Sequence, residues 1–315
     1  MATITAAVEA NPPGEVLEFR RQRGLWSDAW RRLIRNRLAV VGLVVLALVA
    51  LIAVLGSDVW ITGRYEATEI DRTTRQAGPS WDHWFGTDQL GRDLWARVLE
   101  GVRVSLQIGL GTQILVLITG VLVGAGAILG GKLADNLLMR LTDITFAFPD
   151  LLFIILIREI LLRRDLPIVS SPKLLIIVAI AMVNWTIIAR LVRGQMLSLT
   201  ERDFVIAARA LGATRTRVVF QHMLPNTLGP VIVAITFGIP HAIFAEAALG
   251  FVGFGVPPPD VSLGTLVASG YAFVNRNAWN VVFPAAAVAV LMLSFTFVGD
   301  GLRDALDPRT RGSKT

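Results

Sequence analysis

Along this chain, long uncharged runs alternate with short polar intervals. Leu38 to Gly56 carries no charge and is long enough to cross a bilayer. Val104 to Gly130 is a second such run, and its Gly109, Gly111, Gly120, Gly124 and Gly126 predict the close helix packing that small residues permit in membranes. Leu174 to Leu191, Thr227 to Ala245 (interrupted by Pro230 and Pro240) and Val281 to Gly299 are three more. A further span has to use Leu137 to Ile157 and tolerate Arg140, Asp143 and Asp150, with Pro149 as a kink. Arg140 and Asp143 lie three apart, a spacing that lets them pair on one helix face. The pattern predicts an all-α membrane protein of six transmembrane helices.

The polar intervals set the orientation. Trp26, Trp30, Leu33 and Ile34 fall on one helical face and Arg31, Arg32 and Arg35 on others. That predicts a helix lying among the headgroups, or equally a basic flank of the first span. The first two dozen residues, with Asn11-Pro12-Pro13-Gly14, have no period and are expected to be disordered. Arginines before the first span, Arg190 and Arg193 after the fourth, and Arg303, Arg309, Arg311 and Lys314 at the end place both termini inside. Arg158, Arg163 and Arg164 form an external cluster that the rule does not favour. Asp58 to Gly101 and Phe251 to Asn280 are then external, with turns expected at Gly86 and Gly91 and a helix start at Asp93. The division expected is residues 1–37 as a cytoplasmic segment with the interfacial helix, 38–301 as the permease domain and 302–315 as a cytoplasmic tail. Within the domain, 57–103 is external and 198–226 is a cytoplasmic loop.

That loop holds the longest polar interval of the second half, Glu201 to Asn226. Phe204 to Leu211 reads as a helix rich in Ala, and Gly212 offers the left-handed residue that ends it. Thr214 is placed to cap a second short helix, Arg215 to Met223, and Pro225 to close the unit. Two short helices with an elbow, presenting Ala207, Ala208 and Ala210, make a knob for another protein's groove.

Composition narrows the class. Of 315 residues, 54% are hydrophobic and 17% charged, outside the range of soluble domains. The net charge of +6 follows membrane topology, since no nucleic-acid motif accompanies it. The absence of Cys removes disulfides, thiolate metal sites and a Cys nucleophile. His83, His222 and His241 make no metal-ligand spacing and support no Ser/His/Asp catalysis. Gly130-Gly131-Lys132 lacks the upstream Gly and the following Ser/Thr of a P-loop, so ATP hydrolysis is not expected of this chain.

Ala207-Ala208, Gly212 and Leu224-Pro225 resemble, in their spacing, the EAA loop of ABC-importer permeases. A basic loop obeying only the positive-inside rule would not require that Gly and that Leu-Pro. Ile206 stands where the family's Glu would be and His222 where an Ile is usual. HWFGTDQLGRDL at 83–94, MRLTDITFAFPDLL, WTIIARLVRGQ, EAALGFVGFGVPPP and GDGLRDALDPR extend the resemblance from Leu33 onward. They are similar to the C-type subunits of dipeptide, oligopeptide and nickel permeases. The resemblance implies a type I importer permease fold in a bacterial or archaeal plasma membrane. Its implied partners are a paralogous permease, two cytoplasmic ABC ATPases that bind the ATP–Mg, and an external substrate-binding protein. This chain itself would hold no cofactor, no metal and no nucleic acid. The coupling residues it implies are Ala207, Ala208, Arg209, Gly212, Ala213, His222, Leu224 and Pro225.

Glu246 directly follows the fifth run, where a carboxylate is costly unless paired or wetted. It is a candidate for the translocation path or the permease–permease contact, against an interfacial carboxylate reaching water. His241 is its candidate partner, or satisfies a carbonyl freed by Pro240. The competing class, a self-sufficient secondary transporter or channel, would need intramembrane ionisable residues and an inverted repeat that are not seen.

Overall fold

The structure, a computed structural model, describes residues 25–55, 65–164 and 171–307. Expectations for residues 1–24, the 56–64 part of the external loop and the Arg309, Arg311 and Lys314 tail lie outside these. Among the described residues the regular structure is helical, apart from one isolated antiparallel bridge between Thr87 and Asp93.

Helix α1 (Leu25–Arg35) meets α2 (Arg37–Leu55) at a bend of 92°. Asn36 makes the corner, because its Oδ1 accepts from the Leu38 and Ala39 amides at 3.1 and 3.3 Å and so caps α2. The expected apolar face of α1 divides in two. Ala29 and Leu33 pack on Ala39 and Ala305, whereas Trp30 and Ile34 stay 58% and 50% exposed, turned toward where lipid would lie.

Helix α3 (Leu94–Leu129) merges the amphipathic run and the second span into one rod of 36 residues. Asp93 starts it by accepting from the Ala96 amide at 2.8 Å, as its position predicts. Its most extensive partner is α6 (Pro172–Leu199). A Cβ on Gly120 would stand 2.6 Å from the Cβ of Ile188, so the two rods approach only because that position is bare.

The expected third span is not one helix. The chain forms α4 (Gly131–Phe146), breaks at 147–149, and resumes as α5 (Asp150–Arg163). Pro149 takes an extended backbone (φ −60°, ψ 122°), and a proline disfavours helical geometry in the residue before it, so the kink becomes a break. Asp143 does not pair with Arg140 as its spacing suggests. Arg190 on α6 reaches it instead, at 2.8 Å, and also donates to the Thr142 hydroxyl.

After α6 come α7 (Asp203–Ala210), α8 (Arg215–Phe251), α9 (Leu263–Tyr271) and α10 (Trp279–Leu306). A reciprocal capping box of Ser262 and Thr265 starts α9, an element the apolar pattern does not announce. Among the described residues four helices, α3, α6, α8 and α10, are long and apolar enough to cross a membrane, and the bent α1–α2 pair makes a fifth candidate.

The loop over 65–93, expected to be external, is irregular yet tightly tied. His83 Nδ1 lies 2.9 Å from the Asp93 carboxylate, and Asp88 holds Arg92 at 2.7 Å and Arg97 at 3.6 Å. The Thr87 hydroxyl accepts from the Ala77 amide at 2.9 Å and donates to the Thr74 carbonyl. His83, Thr87, Asp88, Asp93 and Arg97 are all buried. Gly86 and Gly91 both take positive φ (+78° and +83°), as expected of turns.

Candidate functional site

The elbow forms as its residues predict. Gly212 adopts φ +82°, the Ala213 amide donates to the Ala208 carbonyl at 3.0 Å, and the Gly212 amide to Arg209 at 2.9 Å. Those two bonds are the Schellman closure of α7. Thr214 Oγ1 then accepts from the Arg217 amide at 3.3 Å and opens α8.

Pro225 does not close the unit. Arg215 to Phe251 runs as one helix, through a π-helical stretch at Val218–Met223. A proline at 225 has no N–H to donate and its ring crowds the carbonyl of residue 221. The chain answers by widening one turn, so that the Leu224 amide donates to Val219, five residues back. The Asn226 side chain donates to the His222 carbonyl at 2.7 Å, satisfying another acceptor in that turn.

Of the expected coupling residues, Ala207, Arg209, Gly212 and Pro225 are exposed, while Ala208, Ala213, His222 and Leu224 are half-buried. Val205 points inward and is fully enclosed with Val218, Val219 and Met223. The outward face is apolar: Leu211 is 89% exposed and Ile206 53%, with Phe204 and Phe220 nearby in the chain and also exposed. Sequence reasoning missed Leu211 and Phe220. The available signal was position, because a residue just before a left-handed glycine leaves the helix with its side chain outward.

Behind the elbow is a cleft of about 550 Å³ between it and the α3–α4 junction. Arg215 spans this cleft to the Ile128 carbonyl at 2.5 Å. Arg193 and Asp135 close one wall with a paired contact, Nη2 to Oδ2 at 2.7 Å. The hydrogen bond from Arg193 holds the Asp135 carboxyl below the usual carboxylate range.

At the other end of α8, Glu246 is fully enclosed within the chain. Its Oε2 accepts from the Ser105 hydroxyl at 3.0 Å, and Ser105 Oγ accepts in turn from the Leu263 amide at 3.2 Å. That chain of contacts joins α3, α8 and the first residue of α9. Glu246 Oε1 has no partner among the described residues. Enclosure rules out a carboxylate reaching water at the chain's surface. His241 is not its partner: five positions earlier on α8, it faces another side, is exposed, and lines a separate cavity.

Residues 117–312 match the family model described as "Binding-protein-dependent transport system inner membrane component". The chain belongs to this family. Residues 24–79 match the N-terminal TM domain of oligopeptide transport permease C. Relatives include the oligopeptide transport system permease protein OppC of Bacillus subtilis, 39% identical over 93% of this chain and 92% of that one. The dipeptide transport system permease protein DppC of Alkalihalophilus pseudofirmus is 39% identical over 91% of this chain and 90% of that one. Among solved structures, a chain of the MetNI methionine ABC transporter, in inward-facing conformations, aligns with a TM-score of 0.56 at 21% identity. It covers 68% of this chain and 98% of that one, and the likeness is one of fold. This family member is thus a multi-pass inner-membrane component of a binding-protein-dependent transport system, with the helical fold of an ABC-importer permease.

Proposed function

We propose that this chain is one of two membrane-spanning halves of an ATP-driven importer of di- or oligopeptides, or of a related small solute such as a nickel chelate or a glutathione-like compound. Its relatives, named as oligopeptide and dipeptide transport permeases, support the peptide class. Counting Leu137 to Ile157, across the α4–α5 break, as one broken span, the six spans run within α2, α3, that stretch, α6, α8 and α10, with both termini inside. Residues 38–301 form the permease domain, flanked by the cytoplasmic segments 1–37 and 302–315. A paralogous permease completes the pathway, and an external binding protein delivers substrate on the side of residues 57–103. Two ABC ATPases, which hold the ATP–Mg, dock on the loop 198–226. ATP binding closes the ATPases and drags that loop, and the spans tilt with it. The ATPases must therefore bind ATP with different affinity in the two permease states.

The observation that carries this reading is the elbow. Apolar side chains standing out at Ile206 and Leu211 serve no packing within this chain, but suit a groove in a partner. The chain contains no Cys, so a single thiol at Leu211→Cys is a unique handle. A thiol-to-amine crosslinker applied to the assembled complex should join it to the ATPase. The same reagent at Arg75→Cys should leave the ATPase free, because that position is external. Crosslinking of the ATPase from position 75, or none from 211, overturns both the topology and the docking surface.

A further inference from the structure

Midway along α3 and α6, two amide side chains stand in otherwise apolar surroundings. Gln113 and Asn184 are both buried, and both line a cavity of about 330 Å³ with His241 of α8. The other walls are apolar, among them Ile187, Ile188 and Phe237. Polar side chains inside a membrane bundle are expensive and are retained where they act on something.

Their orientation is fixed by what they donate to. Gln113 Nε2 donates to the Gly238 carbonyl at 2.9 Å, and Asn184 Nδ2 to the Ile180 carbonyl at 3.0 Å. A backbone carbonyl only accepts, so each amide must present its NH₂ there and keeps its oxygen out of that bond. Neither Gln113 Oε1 nor Asn184 Oδ1 accepts a bond among the described residues, and neither is sealed in the packing as the Thr112 hydroxyl is. Both oxygens are thus without a partner, in residues that line the cavity, and that of Gln113 lies against Gly238. Gly238 belongs to the same arrangement, because a Cβ there would collide with the Gln113 carboxamide. Small size at 238 is what lets that group lie flat.

We propose that Gln113, Asn184 and His241 form a substrate-contact site of hydrogen-bond acceptors, taking the backbone N–H groups of a peptide in transit. The inference deepens the peptide-importer reading and rests on it. Two carboxamide oxygens offer no net charge, so a peptide is held by groups that every peptide carries and is not trapped by a strong ion pair. His241, exposed on this chain and at the edge of the cavity, is where the path opens toward the second permease half.

The test uses the complete transporter in vesicles, with its own binding protein, and two probes: tri-alanine and the same peptide N-methylated at both amides. Wild-type uptake should favour tri-alanine. Gln113→Met keeps the side-chain length and removes the acceptor, and Gly238→Ala displaces the carboxamide at little cost to the fold. Each should shrink the preference for tri-alanine by about fivefold, the worth of one hydrogen bond from a neutral amide donor. The binding protein is common to all arms, so its own selectivity cancels in the comparison, and a general loss of folding would lower both uptakes together. An unchanged preference in both variants overturns the contact site and leaves the importer reading intact. Failure of the wild type to move either peptide overturns the peptide class of substrate and the contact site with it.

Discussion

The loop over 65–93 and the elbow over 203–217 use one backbone device for opposite ends. In both, a glycine at positive φ turns the chain. Around Gly91 the space is full, and an added Cβ would run into the Asp71 carbonyl oxygen. Around Gly212 an added Cβ would meet nothing within 4 Å. From 83 to 93 the loop is irregular in backbone but holds buried polar groups that pair with one another as in a protein core, although Trp81 before it stands exposed. The elbow is regular in backbone but bare, with large apolar side chains outward. Regularity and solidity are thus separate properties, and the irregular part of this molecule is the more solid.

Substitutions that treat the two glycines alike should break them differently. Gly91→Ala adds both strain and a backbone collision, at about 2–5 kcal/mol. The loop should fail to close over α3, and the abundance and melting temperature of the purified chain should fall; normal melting would mean the loop is not a core. Gly212→Val carries only the conformational cost, about 1–3 kcal/mol. Abundance should stay near normal while the ATPase co-purifies poorly and transport collapses. Gly120→Val, as a control against Ile188, should instead lower abundance. Retained transport and ATPase binding in Gly212→Val would remove the left-handed elbow from coupling.

The smallest effect concerns the clamp behind the elbow. Asp135 pairs with Arg193 at a partly exposed position, worth at most about 1 kcal/mol. Because its pKa is depressed in the folded chain, the pairing contributes stability above the ordinary carboxylate value and loses it as pH falls through the lowered one. The melting difference between wild type and Asp135→Asn should be present at neutrality and close below about pH 4. A difference that grows on acidification would mean another group controls the clamp.

Much of this was legible in advance. Uncharged length revealed α2, α3, α6, α8 and α10, and local chemistry revealed the caps Asp93 and Thr214 and the turn at Gly212. Three features were hidden for definable reasons. The break at 147–149 looks like a kink, because hydropathy is continuous across Pro149 and only backbone geometry distinguishes the two. The π stretch is a change of hydrogen-bond register, invisible to side-chain periodicity. Gln113 and Asn184 are isolated polar letters in apolar runs, and only the packing of α3 against α6 and α8 brings them to one cavity. Long-range pairing misled as well: Asp143 had a good neighbour in its own helix and chose Arg190, whose guanidinium also lies 4.7 Å from the Phe146 ring centroid.

The unbroken course of α8 from Arg215 to Phe251 has a mechanical meaning. At about 1.5 Å per residue, its 37 residues make a bar roughly 55 Å long. One end leaves the elbow and the other carries the Glu246 contact to Ser105. No loop lies between to absorb a push, so a load at the inner end must be relieved by flexing at the widened turn, by hinging at Pro230 and Pro240, or by rotating the bar as a whole. The first two are weak springs in series with a stiff beam. Under the proposed coupling, how much of a movement at the elbow reaches the Glu246 end is a ratio of compliances, set by six residues of π-helix and two prolines.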